Sequence, residues 1–64
     1  MHRADAKRLP EERRREVFLA LVEAQDKNLG LTQSREVVAR RFDLSVEEVR
    51  QIEREGLEAS WPPL

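Results

Sequence analysis

Arg35-Glu36-Val37-Val38-Ala39-Arg40-Arg41-Phe42-Asp43-Leu44-Ser45-Val46-Glu47-Glu48-Val49-Arg50-Gln51-Ile52-Glu53-Arg54 is the stretch that decides the fold. Its apolar residues fall into two short groups, Val37, Val38, Ala39 and Phe42 of one helix, then Val49 and Ile52, which supply the buried face of the next. Ser45 and Glu48 stand between the groups as Ser-x-x-Glu, a capping box in which each side chain satisfies the other residue's exposed backbone donor. A helix therefore starts at Ser45. Two helices crossing steeply through a short turn need three things. These are a small residue where the backbones approach, a permissive residue in the turn, and apolar residues that pin the second helix to the first. Ala39, Asp43 and the trio Leu44, Val49 and Ile52 meet these needs in order. Aspartate tolerates the left-handed backbone of such a turn better than most residues with a side chain.

Upstream, Pro10 followed by Glu11 and Glu12 reads as a helix start, because proline lacks the donor that a first turn leaves unsatisfied and acids favour the positive helix end. Val17, Leu21 and Ala24, flanked by Phe18 and Val22, form an apolar stripe at the helical period, with Glu12, Glu16 and Glu23 opposite. Arg14 falls under the stripe, so the first turn is expected to overhang the core with its arginines in water, and Leu19 falls among the acids. This first helix spans 10–27 and ends near Gln25 to Asn28, with Asn28 or Gly30 in a left-handed position. Thr32 or Ser34 then caps a second helix that runs to Phe42. The third is expected to end at Gly56, with Leu57 folding back as the apolar partner of that cap. Residues 34–55 thus hold the helix pair and 57–64 a Trp61-Pro62-Pro63 tail that cannot continue a helix. Residues 1–9 are expected to be frayed or weakly helical. No segment alternates polar and apolar residues as a strand does, so the fold class is all-α: one three-helix domain.

The Ala39, Asp43 and Val49 spacing resembles the helix-turn-helix pattern, with Asp43 where glycine is most common. Leu44-Ser45-Val46-Glu47-Glu48-Val49-Arg50-Gln51-Ile52-Glu53 is similar to the recognition helix of the promoter-reading C-terminal domain of bacterial sigma factors. The resemblance covers roughly a third of the chain, and its most telling run is Val49 to Glu53. It implies a transcription regulator in which Glu47, Arg50 and Gln51 face bases or phosphates, while Val49 and Ile52 lie in the core. Val46 and Glu48 depart from it, standing where sigma factors usually carry arginine.

Bidentate geometry suits Arg50 to guanine and Gln51 to adenine in the major groove. Arg35, Arg40, Arg41 and Arg54 are the candidate phosphate contacts, and Ser45 joins the DNA-contacting set at the start of the third helix. The same residues also suit a solvated helix face, since Arg50 can pair with Glu47 or Glu53 and Gln51 can meet Glu47 or Glu55. For Arg13 to Arg15 the solvated reading is the stronger. Trp61 reads as a residue that closes a core poor in aromatics, or else as part of an extended segment offered to a partner.

Composition bounds the function. The chain has 64 residues, 12 Lys and Arg against 13 Asp and Glu, one His and no Cys. A domain this short buries only about 60% of its unfolded surface. With no Cys, neither a disulfide nor a cysteine metal cage is available, so stability must come from helix packing or from an oligomer. The lone His2 lies at a frayed end, and two of the three serines read as caps, so nothing forms a nucleophilic constellation. The expectation is a protein that is not an enzyme and has no cofactor or metal. No apolar run approaches the roughly 18 to 20 residues that span a bilayer, and no signal-peptide core is present, so the expected location is the cytoplasm, away from membranes. Near-neutrality means that about five useful cations give weak monomeric binding to double-stranded DNA. A homodimer or a protein partner would strengthen it. The alternative function is a protein-interaction module on the same scaffold, docking RNA polymerase or a nucleic-acid-processing complex.

Overall fold

The computed structural model describes residues 6–63, apart from the Lys7 side chain. Within them the chain is all-helical. A 3-10 turn at Ala6–Arg8 precedes α1 (Glu11–Asp26), α2 (Leu31–Phe42) and α3 (Val46–Ala59), and there is no strand among the described residues. The expected His2 terminus lies outside the described residues.

The three helices meet around Val17, Phe18, Ala20 and Leu21 of α1, Val38 and Ala39 of α2, and Val49 and Ile52 of α3, all buried. Val22, Ala24, Phe42 and Leu44 pack partly against this cluster. The apolar stripe of α1 is thus the buried one, and Leu19 is exposed as its position among the acids implies. Of the apolar residues of α2, Val37 is 45% exposed, because Val38 and Ala39 take the inward direction.

Pro10 caps α1 with extended backbone, φ −59° and ψ 153°, and Glu11 and Glu12 occupy the first turn. Asn28 is left-handed at φ 67°. Gly30 takes no left-handed role: it is the extended N-cap of α2 at φ −65° and ψ 163°. The start of α2 is therefore Leu31, earlier than a cap at Thr32 or Ser34 requires. Ser34 lies one turn inside, fully buried, with its amide bonded to the Gly30 carbonyl at 2.9 Å and its hydroxyl donating to the Leu31 carbonyl at 2.9 Å. A hydroxyl satisfied by its own helix can be buried without a distant partner.

Between α2 and α3 the chain turns through Asp43, Leu44 and Ser45. Asp43 is left-handed, φ 57° and ψ 48°, and the following amide, Leu44 N–H, reaches back to the Ala39 carbonyl at 2.8 Å. This is a Schellman-type ending, with the next apolar residue folded onto the core. At Ser45 the capping box is complete: Ser45 Oγ accepts from Glu48 N–H at 3.1 Å, and Glu48 Oε1 accepts from Ser45 N–H at 3.0 Å.

The end of α3 corrects the expectation placed on Gly56. The helix continues through Gly56 to Ala59 and stops at Ser60, left-handed at φ 54°, with Trp61 N–H bonded to the Gly56 carbonyl at 3.0 Å. The Schellman logic applies one turn later, and the apolar residue after it is Trp61, 4% exposed, while Leu57 is 57% exposed. Gly56 serves packing, because a Cβ there would lie 2.7 Å from Phe18 Cγ and nearer still to the ring edge. Only glycine lets α3 approach Phe18 this closely. Trp61 meets Phe18 edge-on, with centroids 6.0 Å apart and planes at 82°, so it closes the core.

Of the stretch expected to be frayed or weakly helical, the described residues 6–9 hold the 3-10 turn and pack on the core. Ala6 is 2% exposed and Leu9 packs on the core. Arg14, expected in water, is drawn inward: its side chain is 12% exposed, its Nε and Nη2 donate to the two Glu55 oxygens at 2.9 Å each, and its Nη1 donates to the Leu9 carbonyl at 2.7 Å. A planar fork facing a carboxylate from another helix is the arrangement in which arginine tolerates burial.

Candidate nucleic-acid interface

α3 carries five carboxylates, at Glu47, Glu48, Glu53, Glu55 and Glu58, against Arg50 and Arg54. At about 100° per residue, Val49, Ile52 and Gly56 point into the core, and Val46, Glu47, Arg50, Arg54, Leu57 and Glu58 form one exposed arc.

Three of the carboxylates leave that arc. Glu48 is 6% exposed; its Oε1 completes the capping box and its Oε2 accepts from Arg8 Nε at 2.8 Å. The Arg8 hydrogen bond, followed by that of the Ser45 amide, holds the Glu48 carboxyl below the usual glutamate range, and Glu48 in turn raises the Arg8 guanidinium. Glu53 Oε1 accepts from Arg35 Nε at 3.0 Å and lies 2.8 Å from Arg35 Nη2 in the same ion pair, and its Oε2 accepts from Gln25 at 3.4 Å. Glu55 is held by Arg14. The acidic excess of the helix is thus neutralised from other elements, and the exposed arc is left with Glu47 and Glu58 against Arg50 and Arg54.

The DNA-contacting candidates divide accordingly. Arg50 and Arg54 are exposed on the arc and make no ion pair among the described residues. With Arg35, Glu53 and Leu57 they line a shallow groove of about 270 Å³. Glu47 is exposed beside them. Gln51 turns toward the segment before α1, its Oε1 accepting from Ala6 N–H at 2.8 Å. Ser45 is engaged in its cap. Arg40 is exposed near the end of α2. Arg41 lies elsewhere, over the Phe42 ring at 5.3 Å in a groove with Arg13, Leu19 and Glu23 of α1. Of the remaining arginines, Arg13 pairs with Glu16 at 2.9 Å and Arg15 with Glu11 at 2.7 Å, and the two lie over Phe42 and Trp61 respectively.

Sequence reading missed the edges of the arc. One edge is marked by Arg35 of α2 on Glu53, the other by Arg8 on Glu48. Each arginine is anchored to a carboxylate of α3 but comes from another element, so helix periodicity within α3 carries no sign of either. Among the described residues no helix is long and apolar enough to cross a membrane, and no cluster of His, Cys, Asp and Glu forms a metal site. No protein-family model, curated protein or solved structure matches the chain.

Proposed function

We propose that the chain binds duplex DNA sequence-specifically in transcription regulation, with α2, the Asp43–Ser45 turn and α3 acting as a sigma-like helix-turn-helix and α3 entering the major groove. The observation that carries this reading is the inward pairing of Glu48, Glu53 and Glu55, which leaves Arg50 and Arg54 unpaired on the exposed arc. An α-helix with its side chains is about 10–12 Å across and the major groove is about 12 Å wide, so an arc of this kind meets base edges along its crest. Arg50, at the crest, reads a guanine edge. Arg54, Arg35 and Arg40 hold phosphates. Gln51 is assigned to the segment before α1 and Ser45 to the capping box, and Arg41, on the α1 side, stands outside the interface.

A selection from random duplex DNA at low salt tests the reading. The expected outcome is an enriched site whose affinity falls linearly in log–log form with salt and drops about ten- to hundredfold in Arg50→Ala, the discrimination of one good bidentate contact. No enrichment and no binding at low salt would overturn it. Val46 and Leu57, 40% and 57% exposed on the same arc, favour a second reading in which this face docks a protein such as RNA polymerase. A saturable protein partner together with absent DNA binding would be its result.

A further inference from the structure

We infer that Arg8 is a DNA-phosphate contact, gripping the backbone along the edge of α3 opposite to the edge held by Arg35. The inference rests on the DNA-binding reading and adds to it a residue outside the helix pair.

Around α3, at about 100° per residue, Glu53 stands on one side of the exposed arc, beyond Val46 and Leu57, and Gln51, then Glu55 and Glu48, stand on the other, beyond Glu58. A helix lying in the major groove has a phosphate backbone along each of its two sides, so a rigid cation is useful at both borders. Arg35 supplies one from α2. On the other side α3 offers Gln51 and, further round, Glu55 and Glu48; Arg14 holds Glu55, and the Glu48 carboxylate by itself would repel phosphate. The structure places a guanidinium there instead, delivered by the Ala6–Arg8 turn.

Three contacts fix that turn: Ala6 N–H on Gln51 Oε1 at 2.8 Å, burial of Ala6 in the core, and Arg14 Nη1 on the Leu9 carbonyl at 2.7 Å. Arg8 uses only Nε toward Glu48, at 2.8 Å. Its side chain is 56% exposed, against 8% for Glu48; its Nη groups make no hydrogen bond among the described residues, and the Asp43 carboxylate of the α2–α3 turn is a second, more distant acidic neighbour that favours its charge. Guanidinium has five donors in a planar fork, so one edge can hold a carboxylate while the other meets a phosphate. Because Glu48 sets the orientation beforehand, less side-chain freedom is lost when DNA arrives. Glu48 is thereby a positioning residue for Arg8 as well as the partner of Ser45.

The test is the salt dependence of binding to a fluorescein-labelled mixed-sequence duplex, read by anisotropy on the full chain, for wild type, Arg8→Gln, Arg8→Lys and Arg50→Ala. Phosphate contacts are blind to sequence, and each contributes about 0.9 to the log–log salt slope. Arg8→Gln is expected to lower the slope by about 0.9, and Arg8→Lys to retain it. Circular dichroism at the assay temperature confirms that each variant is folded, and none of these substitutions alters the buried core. A lower melting temperature for Arg8→Gln with an unchanged slope would overturn the inference, leaving Arg8 as a clamp on Glu48. In that case salt-sensitive binding by the wild-type chain, with loss of the selected site's preference in Arg50→Ala, would leave the DNA-binding reading standing. No binding by the wild-type chain at low salt would remove both.

Discussion

Gly56→Ala opposes two effects of known sign on one carbon atom. In a helix interior alanine is favoured over glycine by about 1 kcal/mol, and Gly56 lies in the last turn of α3 with ordinary helical backbone. Propensity alone therefore forecasts a more stable protein. The new Cβ, however, would lie 2.7 Å from Phe18 Cγ, the atom nearest the ring's attachment. Phe18 is 1% exposed and held edge-on against Trp61, so the ring has no free direction of retreat. Overpacking of a filled core costs typically 1–3 kcal/mol, and a contact this close belongs at or above the upper end. The net expectation is a loss of about 2 kcal/mol or more, or a melting temperature lower by at least roughly 8–16 °C at the 4–8 °C per kcal/mol of a domain this size. Total stability for a chain of this length is on the order of 3–10 kcal/mol, so the variant should still fold at low temperature. Thermal denaturation followed by circular dichroism reads the shift. The pair Gly56→Ala and Phe18→Leu adds a coupling test, since a narrower side chain at 18 should recover part of the loss and make the two changes non-additive. A melting temperature that stays the same or rises in Gly56→Ala would refute the packing argument.

Three further outcomes are expected. Asp43→Gly should raise the melting temperature by several degrees, since it relieves a left-handed aspartate at φ 57° and removes an acid from the negative end of α2; an unchanged or lower value counts against this. The Glu48 carboxyl titrates below its ordinary range in the folded state, mainly through Arg8 and then through the Ser45 amide. Its contribution is therefore fully present above the ordinary glutamate pKa and is lost as the pH falls through the lowered folded value. Glu48→Gln should flatten the acid limb of a plot of melting temperature against pH, and an acid limb as steep as that of the wild type would contradict the assignment. Removing residues 61–64 takes away the buried Trp61 ring and, by the usual cost of deleting a core aromatic, about 3–5 kcal/mol. The truncated chain should melt roughly 12–40 °C lower, and a silent truncation would show that Trp61 does not close the core.

Local chemistry made much of this fold legible. The Ser45–Glu48 box, the left-handed Asp43 and the inward pair Val49 and Ile52 depend on residues within a few positions of one another, and each is found where its spacing puts it. Gly56 misled for a physical reason. Glycine suits both a helix end and a close helix crossing, and only the presence of Phe18 against it distinguishes the two. Ser34 is similar, since a serine that can cap a helix can also bond back within one.

The candidate site was legible as a set of residue types and not as an arrangement. By itself the sequence determined an all-helical chain, the turn between its last two helices, and a third helix rich in both acid and arginine. Tertiary structure alone decided which of those charges face outward. Arg8, Arg14 and Arg35 are 40, 41 and 18 residues from the carboxylates they hold, and ion pairing between such distant positions follows from helix packing, which no local period encodes. That packing turns an acidic helix into one whose exposed arc carries as much positive as negative charge.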